Sequence, residues 1–199
     1  MKFHNVLDEI LGNRTKVNLL RAFFTYPEKE FTESELQRIA GIPQASVHRN
    51  VKSLLANGTL DMERIGKANL YSLNKEHILY ALLQYVFENE KNLLSELKKS
   101  LKDLIESLPG IELAVLFGSV VKGTERADSD IDIFIVSKAD KSQVEAEMKN
   151  LIQDIGNKLG NPVSPMIKND TEIRDMKSSS IYKELKRGEV IFKREGFEW

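Results

Sequence analysis

The sequence has no cysteine, 5 prolines among 199 residues, and no apolar run approaching the ~18 residues that span a bilayer. The missing cysteine excludes a disulfide framework, a thiol nucleophile and thiolate metal sites. It fits reducing and oxidising compartments equally. The opening Met1-Lys2-Phe3-His4-Asn5-Val6 carries no signal-peptide core. A cytoplasmic protein with no membrane partner is the expectation. Charge of one sign is also lacking: 29 Lys+Arg stand against 30 Asp+Glu, a net charge of −1. Taken whole, that balance speaks against a nucleic-acid partner. Taken by region it does not. Residues 1–75 hold 6 Lys and 5 Arg against 8 acidic side chains, a balance of +3 that leaves −4 for the remainder.

What is present suggests two small domains. No Pro/Gly/Ser-rich linker joins them. From Glu76 to Leu108 there is neither Gly nor Pro, so this stretch can be one helix. The expected division is 1–75, a connecting helix 76–107, and 108–199, with an α+β fold class.

The first part reads as helices followed by a hairpin. Val6, Leu7, Ile10 and Leu11 have helical spacing, and Val17, Leu19, Leu20, Ala22, Phe23 and Phe24 form a second apolar face. Thr32 and Glu35 have the capping-box spacing before Leu36, Ile39 and Ala40, and Gly41 ends that helix. Pro43 opens another, to about Asn57, with Gly58 closing it. Its Val47, Val51, Leu54 and Leu55 share one face. Gln44, Ser46, His48, Arg49 and Lys52 fall elsewhere and are able to contact base edges and phosphates. Two alternating runs around Gly66-Lys67 read as a hairpin, with Arg64 and Lys67 at its tip. The plain alternative is that these cations are a solvated face.

Pro43-Gln44-Ala45-Ser46-Val47-His48-Arg49-Asn50-Val51-Lys52-Ser53-Leu54, Asn57-Gly58-Thr59-Leu60 and the hairpin resemble the winged helix-turn-helix domains of ArsR- and MarR-type repressors. The resemblance covers roughly 13–75. It implies double-stranded DNA as partner, contacted through Gln44, Ser46, His48, Arg49, Lys52, Arg64 and Lys67, and a homodimer. Leu94, Leu97, Leu101, Leu104 and Leu108 alternate at 3 and 4, which marks the connecting helix as a candidate dimer seam. Packing on the chain's own domains is the other reading of the same stripe.

The second part carries chemistry. Ile111 to Phe117 is a strand-like run ending in Gly118-Ser119, and Asp130-Ile131-Asp132 opens the next run, Ile133-Phe134-Ile135-Val136. In a strand, i and i+2 share a face, so both carboxylates project together while Ile131 turns to the core. Such a pair suits a hard divalent cation and repels without one. Gly118-Ser119 before a short helix offers close backbone approach and free N–H groups for a phosphate.

Leu116-Phe117-Gly118-Ser119-Val120-Val121-Lys122-Gly123 with Ala127-Asp128-Ser129-Asp130-Ile131-Asp132-Ile133 resembles the polymerase beta-like minimal nucleotidyltransferases over about 108–199. The resemblance implies a nucleoside triphosphate, ATP being the expected one, held at Gly118, Ser119, Lys122 and Ser129. It implies Mg²⁺ (or Mn²⁺) on Asp130 and Asp132, which are also the catalytic residues. Lys122 stands where the family usually has Arg, without the bidentate fork. Relatives in toxin–antitoxin pairs imply a protein acceptor or a toxin partner. The superfamily's third carboxylate belongs on a later strand, and Asn161-Pro162-Val163-Ser164-Pro165-Met166-Ile167-Lys168 contains no acid. Asp170, Glu172 and Asp175 come after it, and Pro162 and Pro165 mark an edge strand. Loss of a catalytic base typically costs about 10²–10⁴ in rate.

The expectation is therefore an enzyme, a Mg²⁺-dependent nucleotidyltransferase acting on a macromolecule and fused to a DNA reader. The alternative is a transcriptional regulator whose degenerate domain only binds nucleotide. A short helix near Ile181, Tyr182 and Leu185 and a strand at Val190-Ile191-Phe192 complete the chain. The final aromatics, Phe197 and Trp199, have no assigned place.

Overall fold

A computed structural model describes residues 13–199. The helical reading of Val6, Leu7, Ile10 and Leu11 lies outside the described residues. The chain divides into two compact units between Asn92 and Leu93. The expected boundaries were 75 and 108. The contact boundary falls inside the connecting helix because each end of that helix joins a different core.

In the N-terminal unit, α1 (Arg14–Thr25) is capped by the Asn13 side chain, which accepts from the Lys16 amide at 3.1 Å. It buries Val17, Leu19, Leu20, Ala22, Phe23 and Phe24, the face its spacing predicted. Helix α2 (Glu33–Ala40) has the reciprocal Thr32/Glu35 capping box and ends at Gly41, whose φ of 63° a side chain would strain. After Pro43, α3 (Gln44–Ala56) buries Val47, Val51 and Leu54. Strands β1 (Leu60–Ile65) and β2 (Ala68–Leu73) pair antiparallel from Leu60↔Leu73 to Ile65↔Ala68. Phe31 adds a backbone bridge to Tyr71, and its ring meets Phe23 edge-on at 5.3 Å.

Helix α4 (Tyr80–Ser107) begins four residues later than the expected 76. The delay has a local cause. The Asn74 side chain accepts from the Glu76 amide and the His77 ring from the Leu79 amide, so side chains take the donors a helix would leave to its first turn. Early in α4, Phe87 stacks on Phe24 at 4.8 Å, and Arg21 makes two hydrogen bonds to Glu90, at 2.7 and 2.9 Å. The leucine stripe offered as a dimer seam is spent differently. Leu97, Leu101, Leu104 and Leu108 are buried in the core of the C-terminal unit.

That unit is a four-stranded mixed sheet of order β5-β4-β3-β6. Its elements are β3 (Ile111–Phe117), α5 (Gly118–Lys122), β4 (Ile131–Ser137), α6 (Lys141–Leu159), β5 (Val163–Lys168), α7 (Asp170–Met176), α8 (Ser180–Leu185) and β6 (Glu189–Lys193). Strand β4 pairs antiparallel with β3 and parallel with β5, the latter through the crossover helix α6. Strand β5 lies at the sheet edge, where its Pro165 costs no ladder bond on the open side. Alternation sorts β4 onto two cores. Ile131, Ile133 and Ile135 join the leucines of α4 with Val144 and Met148 of α6. Phe134 and Val136 face the other way, with Val115, Phe117, Ile173 of α7 and Leu185 of α8. Helix α7 is not foreseen from the sequence, although Asn169 and Glu172 form a capping box around its start. Phe197 and Trp199 pack against this second core.

Candidate active site

Strands β3 and β4 meet where the two halves of the motif join: Phe117 is the register partner of Asp132. Gly118 follows with φ of 75°, and a Cβ built there would lie 2.1 Å from Oδ2 of Asp132. Only glycine allows the chain to turn into α5 while the carboxylate lies against its Cα. Helix α5 lasts five residues and ends at Gly123, again at positive φ. Asp132 is partly buried and Asp130 exposed, while Ile131 between them is fully buried in the opposite core. Burial first, then the nearby charges of Asp130 and Glu184, push the Asp132 carboxyl above its ordinary pKa, and Lys122 pulls the other way.

Glu184 is the acid that sequence reasoning missed. It stands on α8, one residue before Leu185, which is fully buried beneath Phe117 and Phe134. The turn after α8 is pinned: a Cβ on Gly188 would meet Val115 at 2.6 Å and the Leu116 carbonyl at 2.7 Å. This close approach delivers Glu184 to the Gly118 end of β3, where its Oε1 forms an ion pair with Nζ of Lys122. No sequence spacing signals it, because 62 residues separate the partners.

The neighbouring strand offers no acid, as its sequence indicated. The position beside Asp132 in β5 is Ser164. Asp170, Glu172 and Asp175 belong to α7, which starts beyond Lys168, the partner of Val136 at the far end of β4. Among the described residues no group of three or more His, Cys, Asp or Glu is placed to hold a metal ion. What the site brings together is Asp130, Asp132, Gly118 and Lys122, with Glu184 held on Lys122.

The loop before Asp130 is held by hydroxyl, side-chain amide and backbone contacts. Ser129 Oγ accepts from the Arg126 amide at 2.9 Å, so this side chain shapes the loop. Asn161 is 3% exposed, and its Nδ2 donates to the carbonyls of Ala127 at 3.1 Å and Ser129 at 2.7 Å. The Ile131 amide donates to the Pro162 carbonyl at 2.9 Å. Asn161 thus ties the start of β5 to the aspartate loop, a role invisible in a sequence that reads 161–168 only as a strand.

In the other unit, Gln44, His48, Arg49 and Lys52 are exposed on α3, Ser46 is half-buried, and Arg64 and Lys67 are exposed at the hairpin end. His48 is engaged within its own unit: Nδ1 lies 3.0 Å from Glu33 Oε1, which also accepts from the Tyr71 hydroxyl at 3.1 Å. No described helix is long and apolar enough to cross a membrane.

Several solved structures are similar to the chain, three of them as follows. A toxin–antitoxin MntA-HpeT mutant shares 19% identity over 49% of this chain and 74% of its own, with a TM-score of 0.36. A toxin–antitoxin with AMP-PNP shares 21% over 49% and 74%, TM-score 0.35. TrmBL2, an archaeal chromatin protein with a novel mode of DNA binding, shares 21% over 87% of this chain and 69% of its own, TM-score 0.30. No curated protein sequence matches. These likenesses are distant. Residues 99–196 match the sequence profile of the family described as Polymerase beta, Nucleotidyltransferase. That stretch includes Gly118 against Asp132 at the head of the mixed sheet, so the C-terminal unit is similar to the nucleotidyltransferases of the polymerase beta family.

Proposed function

We propose that the C-terminal unit transfers a nucleoside monophosphate from a nucleoside triphosphate, ATP first among them, to a hydroxyl of a macromolecular acceptor. The observation that carries this reading is Asp132 lying against the Gly118 turn, with Asp130 two residues before it, within a stretch matching the family. The residues fit a divalent cation, Mg²⁺ or Mn²⁺. Two carboxylates share one face, and the more buried of them resists ionising beside its neighbour, a cost that a cation relieves. Bound there, the cation would polarise the phosphoryl oxygens and stabilise the leaving one.

The chain's own residues supply the rest. Asp130 and Asp132 hold the cation. Gly118 and Ser119 give backbone N–H groups to the triphosphate, and Lys122 adds a point charge. Ser129 shapes the loop that presents Asp130. The acceptor hydroxyl oxygen forms its bond to the α-phosphorus as its proton passes to solvent, the α–β phosphoanhydride bond breaks, and pyrophosphate leaves. Asp130 and Lys122 are exposed, an open site of the kind a macromolecular acceptor such as a partner protein can approach. The test is transfer from α-labelled ATP in Mg²⁺ to candidate acceptors, with Asp130→Ala/Asp132→Ala as control. Label on an acceptor with pyrophosphate release above the double variant supports the reading; equal signals overturn it for those acceptors.

One observation favours a second reading. Ser164 occupies the β5 position beside Asp132. A domain without a carboxylate there would bind nucleotide and bias DNA affinity rather than catalyse. The N-terminal unit supports a DNA partner in either case. It is a helix-turn-helix followed by a hairpin, a winged helix by our reading, with Arg49 and Lys52 on the exposed face of α3 and Arg64 and Lys67 at the hairpin end. Duplex binding as a homodimer in the cytoplasm completes the proposal.

A further inference from the structure

Glu33 is the first residue of α2, and its side chain joins α2 to β2 and α3. Phe31, two residues earlier, exchanges two backbone hydrogen bonds with Tyr71 of β2, at 2.8 and 2.9 Å, which pins the entry to α2 beside the hairpin. Glu33 Oε1 accepts from the buried Tyr71 hydroxyl at 3.1 Å and lies 3.0 Å from Nδ1 of His48 on α3. Burial first, and the Glu33 charge with it, pushes the Tyr71 phenol above its ordinary pKa, while a hydrogen bond with Asn69 pulls it down. Tyr71 therefore stays a donor, and the Glu33 carboxylate is held in place as an acceptor.

A carboxylate only accepts, so the proton of a neutral His48 ring lies on Nδ1. The hydrogen bond made by one ring nitrogen sets the state of the other, and Nε2 is left as a bare acceptor. It has no hydrogen-bond partner among the described residues. The His48 side chain is 68% exposed, so Nε2 is open to a ligand. His48 shares the exposed side of α3 with Gln44, Arg49 and Lys52, away from buried Val47, Val51 and Leu54. The chemistry of that surface divides. Arg49 and Lys52 suit phosphates. An acceptor backed by a carboxylate repels a phosphate and calls for a hydrogen-bond donor. In a major groove the donors are the exocyclic amines, N6 of adenine and N4 of cytosine, whereas guanine and thymine offer only acceptors and a methyl group.

We propose that His48 reads one base of a duplex as an acceptor, selecting adenine or cytosine through the exocyclic amine, and that Glu33 is the positioning residue that fixes the ring in this tautomer. This rests on the DNA reading given above and names the base chemistry that reading would select. The contact is one hydrogen bond, so it contributes selectivity at one position, while the cations of α3 and the hairpin contribute most of the affinity.

The test has two arms, both on the full chain. The first needs no DNA. Proton–nitrogen correlation spectra of the imidazole rings, at about pH 8 where an ordinary histidine is neutral, should show His48 protonated on Nδ1 and bare on Nε2. E33Q, whose amide both donates and accepts, should show a mixture of tautomers. A wild-type ring protonated on Nε2, or an unchanged ring in E33Q, overturns the proposal. The second arm selects duplexes from a randomised pool and sequences those retained. Wild type should favour adenine or cytosine about fivefold at one position. H48F should lose that preference alone, E33Q should admit guanine and thymine there, and Arg49→Ala should bind more weakly with the preference kept. An H48F profile identical to wild type, or a wild-type preference for guanine or thymine that H48F erases, overturns the base selection and leaves the DNA reading standing. Wild type that retains no duplex overturns both. Thermal unfolding of each variant confirms that it folds.

Discussion

Gly118 presents its bare Cα to the Asp132 carboxylate, so closely that a Cβ would lie 2.1 Å from Oδ2. The two residues lie at the join between the turn into α5 and the start of β4, and each restricts what the other is allowed to be. Gly118→Ala should cost at least about 1–2 kcal/mol from its left-handed backbone alone. The clash must also push Asp132 aside, and a displacement near 1 Å costs about 10²-fold in a positioned reaction. Transfer assays on folded protein check this; activity within a few-fold of wild type would contradict it.

The raised pKa of Asp132 makes a signed prediction. A carboxyl whose pKa is raised by folding binds more protons in the native state than in the unfolded one. Stability is therefore lost as pH rises through the window above the ordinary aspartate value. In metal-free buffer at pH 7, Asp132→Asn should raise the melting temperature of this unit by about 2 °C. The difference should vanish near pH 3, and divalent cation should stabilise wild type but not the variant. A lower melting temperature at pH 7 would refute the electrostatic account.

Asn161→Ala removes two hydrogen bonds, to the carbonyls of Ala127 and Ser129. The expected loss is about 1–3 kcal/mol in denaturant unfolding. Because Asn161 positions the loop, Mn²⁺ affinity should drop as well. A loss of stability with unaltered Mn²⁺ affinity would limit Asn161 to the fold.

For the N-terminal unit, Arg49→Ala and Lys52→Ala should each weaken duplex binding and reduce the salt slope by about 1. Fluorescence anisotropy across a salt series reads both. His48→Ala should matter less for DNA contact, since that ring already pairs with Glu33. Salt-independent binding, or none, would count against a DNA role.

Local order was legible because it is made locally. The capping box at Thr32 and Glu35, the Pro43 start of α3 and the alternation that turns Ile131 inward all follow from neighbouring residues. The aspartate pair was legible for the same reason, as was the absence of an acid in β5. The start of α4 was misplaced because Asn74 and His77 compete for backbone amides, a choice that spacing does not reveal.

The sequence alone pointed to a nucleotidyltransferase-type domain and offered Gly118, Asp130 and Asp132 as its candidate residues, since strand alternation and a glycine turn need only adjacent positions. Tertiary structure decided what lies around them. The leucines of α4 face the chain's own sheet because burying that stripe against Ile131, Ile133 and Ile135 removes it from water without a partner. Asn161, 32 residues from Ser129, and Glu184, 62 residues from Lys122, reach the site through strand pairing and the packing of α8. Long-range neighbours such as these are set by which faces are buried together, and no local pattern in the chain encodes that.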